Sequence, residues 1–340
     1  MDNKKFKFDV VIGNPPYQEE TAGTSSSDKP IYNLFMDEVY KISNIAELIT
    51  PGRFLFNAGA TPKAWNRKML SDKHLKVLYF ETNSAKVFSN TDIKGGVTVT
   101  YRDRNKDFGE IGTFTIFPEL NSILKKVRQD VIQNGSLTKI IYSQNKFNLD
   151  ELNEHYVGLD RTDKRLESNI FKYDIFKPER SSKDDLKILG VIKNKRVFRY
   201  VNPKYIDNKD TNLDFYKVLL PKSNGSGTLG EVVSTPLVGT PLVGYTRTFI
   251  GIGSFKTMFE ATSALKYVKS KFARVMLGVL KVTQDNNPGK WKWVPLQDFT
   301  SSSDIDWTKS IHEIDQQLYK KYGLDEQEIK FIETKVKEMD

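Results

Sequence analysis

The feature that most limits how this chain can fold is a strand that cannot continue. Residues Phe8-Asp9-Val10-Val11-Ile12 hold four apolar side chains out of five, which reads as a short buried strand. Gly13 breaks the run, and Pro15 and Pro16 stop it. Each proline fixes φ and lacks the N–H that a ladder requires. The result is a rigid loop at the carboxyl end of a strand, where open α/β sheets place their ligand sites. The loop presents one amide side chain (Asn14), carbonyls with no neighbouring N–H, and one aromatic ring (Tyr17).

The residues that follow extend this start into an α/β series. Residues 18–30 are polar and breaker-rich and read as a loop. Residues 31–43 read as a helix whose apolar stripe is Ile31, Leu34, Phe35, Val39 and Ile42. A strand over residues 45–51 ends at Pro51. A helix over residues 61–70 starts with Thr61 as cap and Pro62 in the first turn. Strands over residues 74–80 and 95–101 follow. Strands alternating with helices imply a mainly parallel sheet covered on both faces.

Composition excludes several chemistries. The chain of 340 residues has no Cys, so it holds no disulfide, thiol nucleophile or cysteine zinc site. Its three His are far apart in sequence, and no metal site is expected. No apolar run approaches the ~18 residues of a membrane span, and no signal-type core follows the N-terminus, so a cytoplasmic protein is expected. Lys plus Arg outnumber Asp plus Glu by 52 to 43, a net +9 that suits a partner with many phosphates without requiring one.

The parts of the Asn14 loop suit one chemical problem. The exocyclic amine of adenine is a poor nucleophile because its lone pair is delocalised into the ring. Acceptors aimed at its N–H bonds localise that pair, and a flat surface holds the extruded base. The Asn14 side-chain oxygen and the Pro15 carbonyl can accept, Pro16 stiffens the corner, and Tyr17 offers the ring. The alternative is a plain proline turn after a strand. At average composition this tetrapeptide arises by chance in a chain of this length roughly once in a thousand.

Asn14-Pro15-Pro16-Tyr17 resembles the Asn-Pro-Pro-Tyr motif of amino-group DNA methyltransferases of the adenine-N6 class. The succeeding helix, the strand ending in Pro51 and the later aromatic are similar to those of the Eco57I-like group, type II (IIG) restriction-modification enzymes with the gamma order of motifs. The resemblance implies site-specific DNA adenine-N6 methylation, with direct in-line transfer from S-adenosylmethionine to a flipped adenine. It implies that Phe88, in Ala85-Lys86-Val87-Phe88, covers the face of the base opposite Tyr17; a core Phe at a strand edge is the alternative. Family members bind the cofactor through a glycine-containing loop and an acidic residue that precede the motif. Only 13 residues precede Asn14, so the cofactor half is expected from a partner subunit, or the chain is a fragment or remnant. Gly225-Ser226-Gly227-Thr228-Leu229-Gly230 matches a glycine pattern. It follows a poor strand and precedes Glu231–Ser234, which reads as a strand rather than a helix. It is therefore taken as a loop.

The expected fold is a partial Rossmann-like methyltransferase sheet, then an α+β target-recognition domain, then a C-terminal helical pair. The boundaries are 1–105, 106–300 and 301–340, the first beside the charged run Arg102–Asp107. Within 186–205, Lys193, Lys195, Arg196 and Arg199 are interleaved with Phe198 and Tyr200, which suits double-stranded DNA with unstacked bases nearby; a hairpin with one wet face is the alternative. A basic helix over 261–280 puts Leu265, Val268 and Phe272 inward, and Lys266, Lys269, Lys271, Arg274 and Lys281 outward; Lys269 is taken as a DNA contact. Trp291 and Trp293 read as core. A non-catalytic DNA-binding or specificity subunit that needs a partner is the second functional reading.

Overall fold

A computed structural model describes residues 7–19, 29–89 and 91–339. The chain divides into two compact units, Met1–Asn121 and Ser122–Asp340. Arg102 and Asp103 belong to a strand of the first unit, and the chain stays in that unit as far as Asn121.

The first unit contains β1 (Phe8–Gly13), α1 (Tyr32–Ile42), β2 (Ser43–Pro51), α2 (Lys63–Ser71), β3 (Leu75–Glu81) and β4 (Val97–Asp103). The sheet order is β1-β2-β4-β3. β1 and β2 are parallel, with Gly13 opposite Leu48. β4 runs antiparallel to both of its neighbours, so β1, β2 and β3 point the same way and end at the same edge. Tyr32, Met36, Leu48, Phe54, Trp65 and Leu75 lie in one core cluster, with Trp65 edge-on to Tyr32 and Phe54.

Two local expectations fail here. α1 forms, but its inward face is Tyr32, Asn33 and Met36. Leu34 and Phe35 are 54% and 42% exposed. The helix carries two apolar stripes, and contact with Phe54 and Trp65 selects the one containing Tyr32. Thr61 does not cap α2; its hydroxyl donates to the buried Asn66 side chain, 2.7 Å away. Nor is the sheet mainly parallel, since only β1 and β2 pair that way, and among the described residues it is not covered on both faces: Phe8, Val10 and Ile12 are 45%, 50% and 75% exposed. Alternate residues of a strand share one face, so these three form an apolar row on β1, the strand at the end of the sheet order.

The second unit takes α3 (Pro118–Gln133) from the division onward, then β5 (Ile141–Tyr142), β6 (Lys146–Phe147) and α4 (Leu149–His155). β7 (Leu186–Ile192), β8 (Lys195–Val201), β9 (Ile206–Asp207), β10 (Tyr216–Pro221), β11 (Leu237–Gly239), β12 (Val243–Tyr245) and β13 (Phe249–Phe255) follow. Its helices end with α5 (Met258–Lys269), α6 (Lys271–Gly278), α7 (Ile311–Lys321) and α8 (Glu326–Lys335). The strands form sheets β11-β10-β13-β5 and β12-β7-β8 and the pair β6-β9. Leu219-Leu220-Pro221, a poor strand by sequence, is the end of β10, an inner strand of its sheet. Glu231–Ser234 is irregular rather than a strand.

The basic helix is two helices. Ser270 ends α5 and caps α6, accepting the Ala273 N–H. Lys271, Arg274 and Lys281, expected outward, are buried. Lys271 pairs with Glu333 and Glu338, Lys281 pairs with Glu231, and Arg274 donates to the carbonyls of Lys269 and Lys337. Trp291 and Trp293 are core residues. Among the described residues no helix is long and apolar enough to cross a membrane, and no three His, Asp or Glu gather to hold a metal ion.

Candidate active-site edge

The chain turns out of β1 at Gly13, and the next four residues form a corner at the carboxyl edge of the parallel strands. Asn14 and Pro16 are exposed, and Pro15 and Tyr17 are half-buried. The corner closes on itself. Ile31 N–H donates to the Tyr17 carbonyl (3.1 Å), Glu19 N–H donates to Lys29 (2.9 Å), and Gln18 bridges to Pro30. The returning backbone therefore enters α1 directly beneath Tyr17. The part of the expected loop at residues 20–28 lies outside the described residues.

Tyr17 leans its ring on the core cluster of the first unit. Its hydroxyl is buried without a full hydrogen bond. Burial pushes the phenol up, and the neighbouring Asn14 side chain pulls it partly back. The phenol is thus neutral near pH 7, and it supplies a ring rather than a charge. Asn14 keeps an exposed amide, and Pro16 has no N–H to crowd the Pro15 carbonyl. Chemically, the corner can accept hydrogen bonds at two oxygens beside an aromatic surface.

Phe88 sits in the connection from β3 to β4. Phe88 N–H donates to Ser84 (2.8 Å). The buried Ser84 hydroxyl donates to Thr91 (2.9 Å) and accepts from Ile93 N–H (2.8 Å). Phe88 is half-buried and lies outside the core cluster that Tyr17 touches. Two strands separate β1 from β3 in the sheet, a span of roughly 14 Å. The connection leans back over the end of β2: Gly52 N–H donates to Gly96 (2.9 Å) and Arg53 Nε–H to Lys94. Topology thus brings the Asn14 corner and the Phe88 loop to the same sheet edge.

The sequence-expected DNA contacts fare unevenly. Lys193 and Asn194 turn the β7–β8 hairpin, both with positive φ (47° and 62°). Lys193 and Lys195 are exposed at its tip. Arg196 is tied down, donating to the carbonyls of Thr235 (2.6 Å) and Ser234 (3.2 Å). Arg199 donates to the Phe198 carbonyl (3.0 Å). Lys269 ends α5, half-buried and already engaged with a neighbouring group. The hairpin's aromatic face is also occupied from within: Lys187 lies 4.1 Å from the Phe198 ring and Arg180 5.4 Å from Tyr200.

The glycine pattern does not fit a cofactor. The N–H groups of Ser226 and Gly227 donate to the Glu231 carboxylate (2.8 and 3.0 Å), and Lys281 closes on the same group. The loop is a nest around the chain's own anion.

Residues 1–88 match the family model of the Eco57I restriction-modification methylase. Over 95 residues the chain is 30% identical to an uncharacterized adenine-specific methylase of Mycoplasma pneumoniae. The match takes 27% of this chain and 22% of that relative, so the chain spans less than a quarter of the curated protein. Two solved structures also align. The type IIG restriction endonuclease BpuSI does so at 12% identity and a TM-score of 0.33, over 90% of this chain and 48% of that one. The type IIL restriction-modification enzyme MmeI in complex with DNA does so at 9% and 0.32, over 96% and 56%.

Proposed function

With residues 1–88 an Eco57I-like methylase segment, we propose that the chain supplies the adenine-binding edge of a site-specific DNA adenine-N6 methyltransferase of a restriction-modification system. The observation that carries this reading is the exposed Asn14–Tyr17 corner at the carboxyl edge of three like-directed strands. An everted adenine stacks on Tyr17, Phe88 covers its other face, and the amine donates to Asn14 and Pro15. Holding both N–H bonds returns the lone pair to nitrogen. S-adenosylmethionine supplies the methyl group, and its pocket is built by polypeptide outside these residues. The exposed row on β1 supports that last point. A further strand beside β1 with a covering helix would bury Phe8, Val10 and Ile12, the apolar row that now faces water. Order β1-β2-β4-β3 with β4 reversed fits one side of a methyltransferase sheet. Lys193 and Lys195 at the hairpin tip remain the DNA contacts in this reading.

The test is a titration of the chain with S-adenosylmethionine, alone and with the product of the neighbouring reading frame, followed by nucleoside analysis of methylated DNA. Binding only with that product, and N6-methyladenine in the DNA, are the expected results. Binding by the lone chain removes the proposed split. DNA binding by the assembled pair without any methylated base favours the second reading, a specificity subunit.

A further inference from the structure

The loop after β2 holds a cation that the adenine site does not use. Arg53 lies two residues beyond Pro51, and its stem is walled by two glycine backbones. Gly59 has φ +84°, and a Cβ there would stand 3.1 Å from Arg53 Cβ and Cδ. Gly95 has φ +91°, and a Cβ there would collide with Arg53 Cγ. The Nε–H donates to the Lys94 carbonyl. The stem and Nε are thus fixed, while the residue remains half-exposed.

The two terminal nitrogens carry four of a guanidinium's five N–H donors. Among the described residues they make no hydrogen bond or ion pair. A structural arginine in the same unit looks different. Arg102 pairs with Asp72 at 2.7 Å and stacks on Tyr40 at 4.8 Å. Burial pushes the Tyr32 phenol up to about 12, and a side-chain hydrogen bond with Thr61 and the nearby Arg53 charge keep it from rising further. Tyr32 opens α1 directly beneath Tyr17. The fork therefore stands at the sheet edge, in the loop next to the Asn14 corner, against the connection that carries Phe88.

We propose that Arg53 binds a phosphate of the DNA strand bearing the target adenine, the one adjoining the everted nucleotide. This rests on the adenine-site reading above. A planar fork matches two phosphate oxygens, and its immobilised stem has little rotamer freedom left to lose on binding. Phosphate contacts of this kind set register rather than sequence. The carboxylate of the methyl donor offers similar oxygens and is the competing source of the anion.

Titrating the full chain with deoxyadenosine, 3′-dAMP and 5′-dAMP tests this. One monophosphate should bind about tenfold more tightly than the nucleoside, the scale of one charge-assisted pair. Arg53→Gln should reduce it to the nucleoside's affinity and leave deoxyadenosine unaffected. Arg53→Lys, which keeps charge and stem, should retain part of the preference. An equal loss for nucleoside and nucleotides in Arg53→Gln overturns the proposal in favour of a structural role. So does a loss confined to S-adenosylhomocysteine, measured against methylthioadenosine on the chain assembled with the neighbouring reading frame's product, because the anion is then the donor's carboxylate. If the wild-type chain binds deoxyadenosine without preferring either monophosphate, the adenine site stands and Arg53 loses its role. If it binds no deoxyadenosine, the adenine-site reading has failed and takes this proposal with it.

Discussion

The two units of this chain differ in what marks their surfaces and interiors: a row of exposed apolar residues in the first, caged cations in the second, although Ile132, Val157 and Val282 of the second are exposed as well. The first leaves Phe8, Val10 and Ile12 of β1 in water, together with Leu34 and Phe35 of α1. The second buries cations and supplies each with partners. Lys217 is fully buried, its Nζ donating to the carbonyls of Asn212, Leu213, Phe215 and Thr240 at 2.8–3.1 Å. Lys281 and Glu231 form a buried pair inside the glycine nest. Buried charge survives only where its partners are complete, so the second unit closes its own interior. Exposed apolar residues grouped on one strand and helix are the signature of a surface that another polypeptide covers. The contrast fits the proposed reading, in which further polypeptide covers the apolar row of the first unit.

The contrast is broken most strongly at Lys217. Lys217→Met leaves four buried carbonyls without their donor and should cost about 3 kcal/mol in denaturant unfolding. A variant as stable as the wild type would show that the carbonyl cage does not need its cation. The same residue gives a pH signature. Burial pushes its amine down to about 7 from an ordinary value of 10.5, against the pull of the Asp214 carboxylate. Between those two values the unfolded chain holds a proton that the folded chain has released. Stability therefore rises with pH from about 7 to about 10.5 and gains nothing from this group below 7. Lys217→Met should remove that rise, which unfolding curves at pH 7 and pH 9 can compare.

Ile12 sharpens the contrast from the other side. Being 75% exposed, it loses little when changed. Ile12→Asp should alter the stability of the lone chain by less than about 0.5 kcal/mol. The same change should weaken association with the neighbouring reading frame's product, read by analytical ultracentrifugation. Unchanged association would mean that the apolar row on β1 is not the surface covered.

What could be read from the sequence follows the range of the forces involved. The break after β1 was legible because Pro15 and Pro16 impose it covalently. The elements of the first unit were legible because hydrophobic period is local. The face of α1 was not, since Phe54 and Trp65 choose between its two apolar stripes. Ser270 was hidden inside a helical pattern, although it is a good cap residue. The burial of Lys271, Arg274 and Lys281 could not be foreseen, because their partners arrive from residues 231, 269, 333, 337 and 338. The basic and aromatic alternation of β8 suggested an open surface. Instead, the exposed Arg196 is already tied to the carbonyls of Ser234 and Thr235. At the site edge, Asn14 and Tyr17 were visible as a motif. Arg53 was not, since its glycine walls come from six and 42 residues away.

Methyl transfer by the assembled enzyme carrying Asn14→Ala tests the proposed role of the Asn14 corner most directly. Loss of one of two acceptors for the amine should lower the rate at least about a hundredfold, while affinity for DNA and for S-adenosylmethionine stays as in the wild type. Turnover at the wild-type rate would contradict the assignment of that corner to adenine.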